Sequence, residues 1–310
     1  MTVATASLTG LPVNHRDFDL PIAGILHTDC PHYYRCAHPG EGEEAFASRL
    51  AENLEALILA EGPDTVAAMF AEPVMGAGGV IVPPESYFAK IQKILKRYDV
   101  LLVADEIICG FGRTGHNWGS ETYNLEPDIL TCAKALSSGY VPISAVMISE
   151  PIWQAMLAQS DKIGMFGHGF TYSGHPVATA VALETMKIYD EVDIASHVRA
   201  VAPALQDGLR RFADHPLVGE VRGVGLIAAI EIVRDKTTKV QFDPAIMVAA
   251  HVAKRAEAHG LIVRALAGDV IAFSPPLIIE THEIEEMMDA FGQALDETWA
   301  WLEASRLAKA

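Results

Sequence analysis

Two ionisable residues close two short apolar runs. Asp105 follows Val100, Leu101, Leu102, Val103 and Ala104, and Lys134 follows Ile129, Leu130, Thr131, Cys132 and Ala133. Such runs read as strands covered on both faces. Open α/β sheets place their ligands beyond the carboxyl ends of strands like these. Each residue alone has an ordinary explanation. A carboxylate just past a strand is often a helix cap or a solvated charge, and a lysine can lay its stem along apolar surface with its head in water. Together they suggest a division of labour. A lysine in an apolar pocket is a good nucleophile toward an aldehyde and forms a Schiff base with it. An aspartate beside a cationic ring nitrogen keeps that ring protonated, so that it withdraws electrons from a carbanion. Pyridoxal 5'-phosphate needs both partners.

Two other constellations compete for attention. Gly110-Phe111-Gly112-Arg113-Thr114-Gly115 fits G-x-G-x-x-G after an apolar run. A dinucleotide site also needs a helix opening at that loop, with the pyrophosphate on its N-terminus. The residues that follow, His116-Asn117-Trp118-Gly119-Ser120, carry no apolar helical stripe, and Asp105 and Glu106 would repel a phosphate. His27, Cys30, His32, Cys36 and His38 form a second group, but Pro31, Pro39 and Gly40 make it a loop and no C-x-x-C pair is present. Structural zinc sites show tighter paired spacing, so no metal is expected.

The elements that must position Asp105 and Lys134 follow from periodicity. Residues 41–60 place Phe46, Leu50, Leu54, Leu57 and Ile58 on one helical stripe, and Phe88, Ile91, Leu95 and Tyr98 mark a second helix after Pro83-Pro84-Glu85. Strands are expected at 65–71, 100–104 and 129–133, and a helix at 175–189. This alternation implies an α/β fold, a mainly parallel sheet with helices on both faces. Beyond about residue 190 the pattern becomes helix, strands at 224–233, a helix at 246–259, strands near 261–263 and 270–273, and a last helix with Thr281 as its N-cap. We therefore expect a large domain over 1–190 and a smaller α+β domain over 191–310.

Composition bounds the rest. The chain has 310 residues, half of them apolar, and 23 Lys and Arg against 40 Asp and Glu give a net charge of −17. Such acidity disfavours nucleic acid and anionic membranes as partners. Four cysteines are too few for a disulfide scaffold. The start, MTVATASLTG, has neither a basic region nor an apolar core of a secretory signal, and no uninterrupted 18-residue apolar run exists. The expectation is a soluble cytoplasmic protein.

Five stretches, in order, carry a resemblance to a known family. The stretch Val103-Ala104-Asp105-Glu106-Ile107-Ile108-Cys109-Gly110-Phe111-Gly112-Arg113-Thr114-Gly115 resembles the signature of class III pyridoxal-phosphate-dependent aminotransferases, and Asp128 to Leu136 resembles the segment bearing their Schiff-base lysine. Glu72 to Gly79, His168 to Pro176 and Gly260 to Arg264 match as well. The resemblance implies a fold-type I enzyme with pyridoxal phosphate as cofactor. It implies Asp105 on the pyridine nitrogen, Lys134 as Schiff base and proton-shuttling base, Ile107 packed under the ring, and Thr171 on the cofactor phosphate of a neighbouring subunit in a homodimer. It also implies Arg264 as the grip on a substrate carboxylate, a geometry suited to a guanidinium. Ornithine- and 4-aminobutyrate-type relatives carry Glu where this chain has Ala77 and Gln where it has Ile108. Their absence resembles the ω-aminotransferases of the β-alanine:pyruvate and amine:pyruvate kind, which pass an amino group from an ω-amino acid or amine to a keto acid such as pyruvate.

One departure qualifies that implication. Family members carry an N-terminal part that supplies a Ser/Gly phosphate loop at a helix N-terminus, an aromatic stacked on the ring and part of the substrate pocket. Residues 1–40 hold no Gly-Ser loop leading into a helix, and no aromatic precedes Phe18. The expected cofactor cradle is therefore incomplete. The alternatives are a catalytically incompetent remnant, or a pyridoxal-phosphate-dependent decarboxylase or aminomutase relative.

Overall fold

Leu102, Val103 and Ala104 are all buried although successive side chains of a strand point to opposite faces. That strand is one of four in a sheet ordered β1 (Ala68–Ala71), β2 (Leu101–Asp105), β3 (Ile129–Cys132) and β4 (Ala145–Ile148). The first three are parallel and β4 is antiparallel to β3. The computed structural model describes residues 2–305 and 307. It divides into one unit of Met1–Pro73, Pro83–Phe111 and Trp118–Asp193, and a second of Val74–Val82, Gly112–Asn117 and Ile194–Ala310. Two short segments within the first 190 residues thus cluster with the later part of the chain.

The helices of the first unit are α1 (Val3–Leu8), α2 (Tyr33–Cys36), α3 (Glu43–Glu61), α4 (Tyr87–Arg97), α5 (Gly119–Thr122), α6 (Glu150–Ile163) and α7 (Pro176–Glu191). The stripes read from the sequence are the ones buried. Phe46, Leu50, Leu54 and Ile58 of α3 pack with Phe88, Ile91 and Leu95 of α4, and with Leu102 of β2. Leu130, Cys132, Leu136 and Ala182 form a neighbouring cluster joined by Phe111 and Trp118. By register, Leu102, Ala104, Leu130 and Cys132 share one face of the sheet, and Phe70, Val103, Asp105, Thr131 and Val146 share the other. Cover on the second face is uneven, for Phe70 and Val146 are exposed.

Strand β4 and helix α6 were not foreseen. Neither has a buried residue, although α6 sets Ile152, Trp153, Met156 and Leu157 on one side at helical spacing. Helix α7 buries only Ala182 and Thr185. The result is a run of exposed apolar side chains that includes Met147, Trp153, Leu157, Phe166 and Leu183.

In the second unit, α8 (Ile194–Arg210), β5 (Val218–Val224), β6 (Ile227–Ile232), α9 (Val248–Ala258), β7 (Arg264–Leu266), β8 (Val270–Phe273) and α10 (Thr281–Ala304) follow in sequence. The strands form an antiparallel sheet ordered β5-β6-β8-β7. Phe291 of α10 sets its ring edge-on to Phe273 of β8, with centroids 4.9 Å apart. The single strand expected at 224–233 is a hairpin, because Gly225 turns the chain at φ +57°. A Cβ at Gly225 would stand 2.4 Å from the Arg113 carbonyl oxygen, so only glycine fits. The strand expected at 261–263 lies instead at Arg264–Leu266. Helix α10 is capped not by Thr281 but by Glu280, which forms a capping box with Glu283.

The glycine motif opens no helix. Gly112 to Asn117 joins the second unit, where Arg113 Nη1 donates to the carbonyls of Leu226 (2.9 Å) and Pro275 (2.6 Å). The cysteines form no disulfide, and His27, Cys30, His32, Cys36 and His38 do not come together as a ligand set among the described residues. No helix among them is long and apolar enough to cross a membrane.

Because α6 buries nothing, the double variant Trp153→Lys/Leu157→Glu is expected to leave the thermal midpoint within about 2 °C of the parent, in line with surface substitutions. It should also lower binding of a hydrophobic dye. A loss of more than about 5 °C, read by differential scanning calorimetry, would show that this face is packed in solution.

Candidate active site

Asp105 is the last residue of β2, and its register partner across the parallel ladder is Thr131 of β3. The ladder continues one step further, where the Glu106 N–H donates to the Thr131 carbonyl at 2.9 Å. Lys134 comes three residues after Thr131. Adjacent strands are about 4.8 Å apart, so the pairing delivers a carboxylate and an amine to the same edge of the sheet. This is the carboxyl edge, where open α/β sheets bind ligands.

Local structure fixes both residues. Asp105 is half-buried, and its Oδ1 accepts the Ile107 N–H at 3.0 Å. That bond turns the chain off the strand and holds the half-buried Ile107 beside it. Lys134 opens a single 3-10 turn, Lys134–Ser137, at φ +45°, a conformation uncommon for a residue with a Cβ. Three contacts hold the turn: Leu136 lies in the cluster with Ala182, Tyr189 Oη donates to the Ala135 carbonyl at 2.8 Å, and Ser137 Oγ donates to the Val141 carbonyl at 2.6 Å. The backbone is thus anchored from α7 while the side chain projects outward.

The apolar pocket expected around Lys134 is not formed among the described residues. Lys134 is exposed, because Cys132 and Leu136 point inward and the left-handed turn directs the lysine away from them. Thr171 is also exposed, in the turn-rich segment between α6 and α7. Asp105, Ile107, Lys134 and Thr171 all belong to the first unit. Arg264 belongs to the second, where it starts β7 opposite Ala272 of β8 with its side chain exposed.

One residue escaped the sequence reading. Glu106 is fully buried, and its carboxylate accepts the N–H groups of Gly119 (2.9 Å) and Ser120 (2.6 Å) and the Ser120 hydroxyl. It therefore caps α5, and the amides of that helix end are occupied by the protein's own carboxylate rather than offered to a phosphate. Burial pushes its carboxyl above the ordinary range, while the three donors pull it back down. Gly119 must be glycine, since a Cβ there would lie 2.6 Å from Cys109 Cβ and 2.9 Å from Pro73 Cβ. A glycine and serine thirteen and fourteen residues after Glu106 gave no local signal of this contact.

The donor set suits a pyridine aldehyde: a fixed carboxylate for a ring nitrogen, a primary amine for a carbonyl carbon, and an aliphatic side chain two residues beyond the carboxylate. A family model, "Aminotransferase class-III", matches residues 2–295. The chain belongs to the class III aminotransferases. It is 54% identical over 297 residues to gamma aminobutyrate transaminase 3, chloroplastic, of Solanum lycopersicum, a match covering 96% of this chain and 57% of that protein. It is equally identical to gamma-aminobutyrate transaminase 1, mitochondrial, of Oryza sativa subsp. japonica, again over 57% of the relative. An omega transaminase from Pseudomonas jessenii in complex with PMP superposes with a TM-score of 0.95 at 53% identity, covering 97% of this chain and 66% of that one. The chain thus spans little more than half the length of these plant relatives. Class III aminotransferases are fold-type I pyridoxal-phosphate enzymes, and the first unit's mainly parallel sheet has that architecture.

In this class III chain, Glu106→Gln should turn an amide N–H toward the donors of α5. Leaving a buried donor unpaired costs about 1–3 kcal/mol, so a lower denaturant midpoint is expected. An unchanged midpoint would remove the capping role.

Proposed function

We propose that the chain acts as an ω-aminotransferase, moving an amino group from an ω-amino acid or amine to a keto acid such as pyruvate. The observation that carries this reading is the placement of Asp105 and Lys134 at the carboxyl ends of neighbouring parallel strands. Pyridoxal phosphate, when bound, supplies an electrophilic carbon and a ring that takes up electron density from the donor carbon. Asp105 would hold the ring nitrogen, and its bond from the Ile107 N–H presets the carboxylate toward that edge. Ile107 would pack against the ring. Lys134 Nζ would hold the cofactor carbon and then move a proton at the donor carbon. Thr171 would reach the phosphate held by a second copy in a homodimer. Arg264 would grip a carboxylate in a bidentate fashion and withdraw for an apolar amine.

Support for the branch comes from Ala77, which leaves no carboxylate in its loop to neutralise a substrate-binding arginine, and from a structural neighbour named as an omega transaminase; the plant relatives are named for aminobutyrate, and support only the broader class of ω-amino donors. A second reading, a non-catalytic remnant, is favoured by the exposure of Lys134 and of the second sheet face at Phe70 and Val146.

Two variants separate the readings. Lys134→Ala should abolish transamination between β-alanine and pyruvate and remove the visible absorption band that pyridoxal phosphate acquires on binding. Loss of a general base alone slows a reaction by roughly 10²–10⁴-fold. Asp105→Asn should keep the band and slow turnover by at least about 10²-fold, since it removes a charge that the reacting state needs. Turnover that survives in Lys134→Ala would defeat the assignment, and absence of both band and turnover in the parent chain would establish the remnant.

A further inference from the structure

Arg222, on β5, is a buried cation of the second unit. Its side chain is 6% exposed, and it meets Glu231 of β6, 2% exposed, at 2.7 Å, with Glu220 as a second carboxylate partner. The guanidinium has more to bind than these acids. Nε donates to the carbonyls of Gly79 (3.0 Å) and Val80 (3.2 Å), and Nη2 donates to Gly79 at 2.7 Å. Both residues lie in the Val74–Val82 segment, some 140 positions earlier in the chain and within the same unit.

That segment is a closed loop. Met75 and Ile81 exchange both backbone hydrogen bonds, at 3.1 and 2.9 Å, and the N–H groups of Gly79 and Val80 return to the Gly76 carbonyl. Gly79 and Val80 hold φ at +125° and +52°, which turns their carbonyls toward the arginine. Gly76, Gly79 and Val80 are buried, and Ala77 and Gly78 are the exposed tip. A Cβ on Gly79 would lie 3.2 Å from Arg222 Nη2 and 3.8 Å from Val270 Cγ2 of β8. Val270 is in register with Leu266 of β7, the strand that begins with Arg264. The loop therefore lies over β8, next to the strand bearing Arg264.

Burying an arginine is costly unless every donor is used. Here the planar fork serves two carboxylates and two carbonyls at once, which an ammonium group could not do. We propose that Arg222 is a positioning residue. It clamps the loop so that Ala77 and Gly78 form a rigid rim beside the β8–β7 pair, and so sets how Arg264 receives a carboxylate-bearing donor relative to an apolar amine. The role in donor choice rests on the reading of Arg264 as the carboxylate grip; the clamp does not.

The test uses Arg222→Lys, which keeps the charge beside Glu231 and loses the fork, and Gly79→Ala, which disturbs the loop both at Nη2 and through its φ of +125°, as a control for loop loosening with the ion cluster intact. Amide hydrogen exchange should quicken by about 10-fold or more at Met75, Val80 and Ile81, corresponding to about 1.4 kcal/mol of lost protection, while the β6 amides stay as in the parent. With β-alanine and 1-phenylethylamine as donors, KM for β-alanine should rise about 10-fold, with kcat and the 1-phenylethylamine constants within about two-fold. A merely structural role would lower kcat for both donors alike. Should Arg222→Lys not fold, Arg222→Gln, which loses the charge and the fork but leaves the loop sequence untouched, decides in its place. Unchanged exchange in both variants overturns the clamp, and quickened exchange with an unchanged KM ratio overturns its role in donor choice. A parent chain that turns over neither amine counts against the aminotransferase reading, and the exchange measurement still decides the clamp.

Discussion

Parallel pairing has a consequence that antiparallel pairing lacks: the carboxyl ends of all its strands fall on one edge. In this chain that edge carries the candidate chemistry. The register that sets Asp105 opposite Thr131 fixes how far Lys134 stands from the carboxylate, and a slip of one residue would send Asp105 to the opposite face. The helices serve this register. Helices α3 and α4 bury their stripes against Leu102, and α7 holds the turn of Lys134 through Tyr189.

Much of this was legible in the residues. A strand buried on both faces shows as an unbroken apolar run, so β2 and β3 were visible, and the ionisable residues that end them were visible as exceptions. Amphipathic helices with a deep core, α3 and α4, announce themselves by period. The stripe of Ile152, Trp153, Met156 and Leu157 in α6 was present in the residues as well but went unread, whereas β4, at four residues, is too short to show a period. The β5–β6 hairpin was hidden because β5, with two glycines, Glu220 and a buried Arg222 among its seven residues, shows no period-two apolar pattern.

Contacts distant in sequence were the harder part. Glu106 reads as the second of two adjacent acids, one of which had a plausible task. Its buried hydrogen bonds to the α5 amides depend on how the Gly110–Asn117 stretch folds, and no local pattern encodes that. Arg222 likewise reads as one charge in a strand, yet it is tied to carbonyls 142 and 143 residues away. The G-x-G-x-x-G stretch shows the converse. Its glycines permit turns at Gly112 and Gly115, and its arginine ties to the β5–β6 turn, so a pattern shared with nucleotide sites serves connection here.

The uneven cover of the sheet bears on electrostatics. Asp105 shares its face with Phe70 and Val146, two apolar side chains that meet solvent. Attraction between a carboxylate and a cation weakens roughly in proportion to the surrounding dielectric, which falls from about 80 in water to about 20 near a protein surface. Any polypeptide layer that dried this wall would therefore strengthen the attraction of Asp105 for a cation placed beside it, without moving a single atom of the aspartate.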